Sequence, residues 1–158
     1  MKITDIRING IREPMGFGLP QLFLSWKVRE SRSRNAAATS VTVAGDPAFR
    51  EVLYEQTGTS LQSFSLEIPM EPAARTRYYC RIRVERDAGD SAMADSFFET
   101  GKMGEPWAGK WIGTREEDRF HPVFFRNFQV PPETVSARLY VSGLGLYEAY
   151  VNGEKVKV

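Results

Sequence analysis

Apolar and polar residues alternate along much of this chain, and the alternation has the period of a strand. In Leu22-Phe23-Leu24-Ser25-Trp26-Lys27-Val28, residues Leu22, Leu24, Trp26 and Val28 share one face, because successive side chains of a strand point to opposite sides. Thr39, Val41 and Val43 repeat the pattern until Gly45-Asp46-Pro47 breaks it. Phe64, Leu66 and Ile68 do so again before Pro69. Tyr78, Cys80, Ile82 and Val84 form a fourth set, with Tyr79, Arg81 and Arg83 opposite, and another strand is expected from Ala94 to Thr100. Helix signals are scarce. The best is Asp46-Pro47-Ala48-Phe49-Arg50-Glu51, where a capping Asp precedes a Pro at the first helical position; it predicts one or two turns. Turn residues separate the strands at short intervals, so the pattern predicts an all-β antiparallel sandwich.

Two residues sharpen that expectation. Trp26 faces inward on an early strand, and Tyr78 opens a later one, six residues after Pro72. A buried tryptophan and a tyrosine corner are features of immunoglobulin-like sandwiches. With one cysteine, Cys80, there is no pair to bridge the sheets, so a fibronectin type III-like domain is expected over residues 1–101. Gly101, Gly104, Pro106 and Gly109 then punctuate "TGKMGEPWAGKWIG", and residues 102–112 are expected to be a linker. Strands are expected again at 123–130, 135–142, 146–151 and 154–158. A sandwich or jelly roll uses about seven or eight strands. Residues 113–158 therefore look like a truncated, incomplete jelly-roll-like β unit.

Asn152-Gly153 lies between the last two of these strands and is a strong two-residue hairpin signal. It sets Val151 opposite Glu154, Ala149 opposite Val156 and Tyr147 opposite Val158. One face is then apolar, with Tyr147, Ala149, Val151, Val156 and Val158. The other carries Glu148, Tyr150, Lys155 and Lys157, and Glu148 is placed to pair with Lys155 or Lys157 across the strands. A two-stranded ribbon is marginal by itself in water, so the apolar face requires cover.

Composition narrows the function classes. The 158 residues are 42% hydrophobic and 26% charged, with 21 Lys plus Arg against 20 Asp plus Glu, a net charge of +1. The balance argues against a nucleic-acid partner, which usually meets a basic excess. One histidine, His121, and one cysteine nearly exclude a Cys/His metal site, which needs about three or four ligands. No apolar run approaches the ~20 residues of a membrane span, and "MKITDIRING" lacks the apolar core of a signal peptide. A cytoplasmic location without membrane partner, metal or cofactor is expected.

Candidate chemistry is thin. His121 beside Pro122 reads as an ordinary loop residue, and Cys80 as a small core residue rather than a nucleophile. Glu116-Glu117-Asp118 could supply a glycosidase's two carboxylates, but neighbours in a loop read as a solvated turn. Lys27, Arg29, Arg32 and Arg34 make a basic run that reads as a solvated loop. Trp107 and Trp111 flank Ala108-Gly109-Lys110; at a domain boundary, burial between domains is favoured over stacking on sugar. No residue is assigned a catalytic role.

Several stretches, in this order, resemble bacterial alpha-L-rhamnosidases. They are "PQLFLSWKV" with "SVTVAGD", then "TRYYCRIRVERDAGD", then "SFFETG" with "WAGKWIG", and last "SARLYVSGLGLYEAYVNGEKV". Two positions depart from the family pattern: Cys80 stands where Trp is usual, and Thr39 where an aromatic is common. Both are expected to face the core, where a smaller side chain leaves volume for neighbours to fill. The resemblance implies a long multidomain glycoside hydrolase that removes terminal alpha-L-rhamnose with inversion. Its catalytic domain would be an alpha/alpha barrel further downstream, carrying an acidic general acid and an acidic general base. None of those motifs occurs here. The chain is thus expected to be a non-catalytic N-terminal fragment, inactive alone, whose rhamnoside substrate is bound by downstream domains.

Two alternatives use the same residues differently. A freestanding carbohydrate-binding or adhesion module is suggested by Trp107, Trp111, Tyr147 and Tyr150. A strand-completed homodimer is suggested by the open edge beside Val158.

Overall fold

A computed structural model describes residues 1–33, 35–114 and 121–156. All regular structure among them is β, in two compact units, Met1–Gly109 and Lys110–Val158.

The first unit is an eight-stranded sandwich. Its strands are β1 (Lys2–Ile8), β2 (Met15–Phe17), β3 (Leu22–Arg29), β4 (Ala36–Ala44), β5 (Val52–Gly58), β6 (Leu66–Ile68), β7 (Arg77–Arg86) and β8 (Ser91–Thr100). One sheet has the order β1-β3-β6 and the other β2-β8-β7-β4-β5. Neighbours are antiparallel except β2, which runs parallel to the end of β8. The expected alternation places the core. Leu22, Leu24 and Trp26 from the smaller sheet are buried against Val41, Val43, Tyr78, Cys80, Ile82, Val84 and Phe98 from the larger. Each such apolar side chain contributes about 1.5–3 kcal/mol when removed from water, which offsets the entropy of ordering the strands. Thr39 and Cys80 face this core, 4% and 1% exposed, as their parity requires.

Tyr78 makes the expected corner. Its hydroxyl accepts a hydrogen bond from the Ala73 N–H at 2.8 Å, and its ring stacks on Phe98 at 5.0 Å between centroids. The turn before β7 is thereby tied to the core. Thr100 ties it from the other side: its hydroxyl donates to the Ala73 carbonyl at 2.6 Å and accepts from the Thr76 N–H at 2.9 Å.

Several local expectations are corrected. Asp46 caps, but no helix follows. Its carboxylate accepts the backbone N–H groups of Ala48, Arg50 and Glu51 at 2.7–2.9 Å, and these donors lower its pKa, that of Glu51 most. Phe49 then turns to φ 56, which stops a helix, and its ring covers the Arg81 guanidinium at 3.9 Å. Phe64 is not part of a strand; it lies ahead of β6 and is exposed. The last strand of the sandwich begins at Ser91 rather than Ala94. Lys27 and Arg29 belong to β3 and not to a loop, while Arg34 lies outside the described residues.

Among its described residues the second unit holds one hairpin, β9 (Tyr150–Val151) with β10 (Glu154–Lys155). Asn152 and Gly153 both have positive φ, 52° and 83°, as a type I′ turn demands. Val151 pairs with Glu154, Tyr150 with Lys155, and the Val156 N–H donates to the Ala149 carbonyl at 2.8 Å. The register matches expectation; its outermost pair, Tyr147 with Val158, falls outside the described residues, as does Lys157. The expected strands at 123–130 and 135–142 are not formed, that at 146–151 shortens to Tyr150–Val151, and of 154–158 the described residues form a strand at Glu154–Lys155. The reason is want of partners. A strand needs neighbours on its edges and a surface beneath its apolar face, and Val123, Phe125, Val135 and Leu146 have no such surface: Val135 is 100% exposed.

Candidate functional site

The chemistry-bearing residues of the first unit are mostly occupied in holding strands. Asp5 is the clearest instance. A bulge in β1 between Thr4 and Arg7 puts Asp5 at φ 55 and turns its carboxylate into a ring of cations. Lys27 Nζ stands at 2.7 Å, Arg12 Nη2 at 2.6 Å and Arg7 Nε at 2.9 Å. The hydrogen bonds from Lys27, then Arg12, then Arg7 hold the Asp5 carboxyl well below the usual carboxylate range. Such a depressed group stabilises the fold fully above its unfolded pKa, and that contribution fades as pH falls toward the folded one. In Asp5→Asn, thermal unfolding should therefore be lower at neutral pH and should flatten below pH 4, where the parent keeps losing stability. Circular dichroism melts across pH 2–7 check this; parallel acid limbs for the two proteins would contradict it.

The outer face of the larger sheet is similarly paired. Arg81 makes two bonds of 2.8 Å to Asp95, directly across β7 and β8. Arg77 reaches Glu99 at 3.0 Å and lies 4.8 Å from the Phe97 ring centre. Cys80 is sealed in the core, where burial pushes its thiol up to about 12. A thiol so rarely ionised is a poor nucleophile. His121 is exposed. Glu116, Glu117 and Asp118 lie outside the described residues. Among the described residues no group of three His, Cys, Asp or Glu side chains could hold a metal ion.

What is left open is apolar surface. In the second unit Phe125, Phe128, Leu139, Leu144 and Tyr147 are exposed together with Val151 and Val156 of the hairpin. Its polar face is ordered. Lys155 pairs with Glu148, and Tyr150 donates to the same carboxylate at 2.7 Å; the ammonium, then the phenol, lowers the Glu148 pKa. The hairpin thus carries Glu148, Tyr150 and Lys155 on one side, while the other is mostly apolar, with Glu154 beside Val151 at the turn end, an alternation suited to a strand pair lying on further strands. Trp107, in the first unit, is 55% exposed with Lys102 Nζ 5.5 Å from its ring centre. Its turn is fixed by the Arg75–Glu105 ion pair at 2.5 Å and by the Leu19 N–H on Met103 Sδ at 3.3 Å. Trp111, in the second unit, is exposed as well. Alternation alone could have found the bare face of the hairpin; it could not have found Asp5, whose role depends on a bulge.

Known proteins place these features in context. Residues 3–104 match the family described as Rha78A-like, N-terminal immunoglobulin domain, and residues 132–157 match the family described as Alpha-L-rhamnosidase N-terminal domain. The chain is 25% identical to an alpha-L-rhamnosidase of Formosa agariphila, over 99% of this chain and 20% of that protein. It is 24% identical to one of an Alteromonas species, over 98% and 19%. A crystal structure of Streptomyces avermitilis alpha-L-rhamnosidase complexed with L-rhamnose superposes with a TM-score of 0.62 at 25% identity, over 72% of this chain and 12% of that one. The chain thus spans about a fifth of the length of the curated relatives it matches.

Proposed function

The chain belongs to the Rha78A-like N-terminal immunoglobulin domain family, and from that premise we propose that it is the amino-terminal scaffold of an alpha-L-rhamnosidase. The reaction proposed for the whole protein is hydrolysis of terminal alpha-L-rhamnose from rhamnosides with inversion. Inversion needs two carboxyls about 6.5–9.5 Å apart, leaving room for the attacking water, and in this reading both belong to downstream domains. The supporting observation is the match along nearly all of this chain to the N-terminal part of proteins named alpha-L-rhamnosidase. The physical character of the chain agrees with it. The first unit has a closed core and satisfied ion pairs, as a spacer requires. The second presents apolar side chains that further strands of a jelly roll would cover.

The purified chain is accordingly expected to release no nitrophenol from p-nitrophenyl alpha-L-rhamnoside above the no-protein rate. Saturable turnover that copurifies with the chain would contradict the scaffold role.

A further inference from the structure

Asn-Gly occurs twice in this chain, at Asn9-Gly10 and at Asn152-Gly153. The two turns share a backbone shape. Asn9 and Gly10 have φ 49 and 80, and Asn152 and Gly153 have φ 52 and 83, the paired positive values of a type I′ turn. Each turn is closed by the residues on either side: Ile8 and Ile11 exchange two hydrogen bonds of 2.9 Å, and Val151 pairs with Glu154. A β-branched residue precedes each asparagine, and both asparagines are exposed. A Cβ placed on either glycine would meet nothing within 4 Å.

The two sites differ in what holds the asparagine. Asn9 Oδ1 accepts the Phe23 N–H at 2.7 Å, and Nδ2 donates to the Gln21 carbonyl at 2.8 Å. The Asn9 backbone N–H also donates to the Phe23 carbonyl at 2.8 Å. This turn is pinned to the start of β3 through both ends of the side-chain amide. The Asn152 side chain makes no hydrogen bond among the described residues.

An untethered asparagine before glycine is open to attack by its own chain. The Gly153 nitrogen, on losing its proton, bonds to Asn152 Cγ. The Cγ–Nδ2 bond then breaks, and Nδ2 leaves as ammonia. Water opens the resulting five-membered imide. Cleavage at Cγ leaves aspartate, and cleavage at the main-chain carbonyl carbon leaves isoaspartate. One water is consumed, one ammonia is released, and no electrons are transferred. Ring closure swings the amide toward the next nitrogen and away from whatever holds it. At Asn9 two hydrogen bonds must break for that to happen.

We propose that Asn152 is a site of spontaneous deamidation, with water as the co-reactant, and that the backbone groups of Gln21 and Phe23 protect Asn9 from the same reaction. The two products act differently on the hairpin. Asp-Gly still suits a type I′ turn. Isoaspartate adds a main-chain carbon between Val151 and Glu154, so the two-residue loop and its register are lost.

The test is to age the purified chain at pH 8 and 37 °C and to follow both sites by peptide mass mapping, with isoaspartate counted by enzymatic methylation. Asn152 is expected to convert at least about tenfold faster than Asn9, the protection that two net hydrogen bonds give. In denaturing urea the two rates should become comparable, because neither side chain is then held. The isoaspartyl product should lose the cross-strand contacts of Tyr150 with Lys155 in amide spectra, and Asn152→Asp should keep them. Equal native rates, faster conversion at Asn9, or a preference for Asn152 that persists undiminished in urea would overturn the proposal. Retention of the cross-strand contacts by the isoaspartyl product would overturn the stated effect on the hairpin.

Discussion

Phe98→Ala should lower the stability of the first unit by about 3–5 kcal/mol, the range for emptying a buried aromatic site. Phe98 is fully buried, on the inward face of β8. It lies opposite Tyr78 in the β7–β8 ladder and stacks on that ring with 23° between planes. The substitution therefore removes three things: apolar burial, the aromatic contact, and the wall that holds Tyr78 where its hydroxyl can accept the Ala73 N–H. A domain of this size holds only about 5–15 kcal/mol in all. The expected reading is a fall of at least about 12 °C in Tm, since 1 kcal/mol moves a domain of 60–100 residues by roughly 4–8 °C. Phe98→Leu, which keeps much of the volume, should lose less than half as much. A fall of under 3 °C for Phe98→Ala, by calorimetry, would mean that the core is not organised around this residue.

Gly101→Ala should be nearly as damaging, although it adds a single methyl group. A Cβ at Gly101 would stand 2.2 Å from the Gly16 carbonyl oxygen and 2.7 Å from its carbon. Both are backbone atoms, so no side-chain rotation relieves the overlap. The two chains approach so closely because the Gly101 N–H donates to the Phe17 carbonyl at 2.7 Å while the Gly101 carbonyl accepts from the Arg75 N–H at 2.8 Å. One residue thus joins β2 to the turn before β7. A methyl group must push β2 away or break these bonds, at a cost of about 3 kcal/mol, the upper end for single substitutions. Gly18→Ala is the matched control, because a Cβ there meets nothing within 4 Å. Urea unfolding of both variants gives the comparison; equal midpoints would contradict the close approach.

The strands that were legible in the sequence are those with one face in the core. β3, β4, β7 and β8 alternate cleanly because Leu24, Val41, Ile82 and Phe98 must point inward while Phe23, Ser40, Arg83 and Phe97 point away. The strands that escaped the pattern lack that asymmetry. β1 has its period broken by the bulge at Asp5, so Ile3, Ile6 and Ile8 do not fall on one parity. β5 is an edge strand in which Val52 and Leu53 sit side by side, and β2 is too short to show a period. The helix signal at Asp46 misled for a physical reason: the same side-chain oxygens that cap a helix also close a tight turn, and the stack of Phe49 on Arg81 decides for the turn. In the second unit the alternation reports what the residues suit, whereas strand formation depends on surfaces to pair with. The hairpin turn, which needs only Asn152 and Gly153, formed as written.

The site followed the same division. The apolar face of the hairpin could be read from parity. The Asp5 cluster could not, since Lys27 reaches Asp5 only through the pairing of β1 with β3 and Arg12 only through the tight turn closed by Ile8 and Ile11.

The reading frame beyond the codon for Val158 tests the central claim most directly. The relatives are about five times as long as this chain, so a rhamnosidase scaffold predicts an open frame of several hundred further codons in the source DNA, encoding the rest of a jelly roll and then a helical catalytic domain. A stop codon directly after Val158 would contradict the scaffold role and leave a small β-protein whose function must lie in its own surfaces.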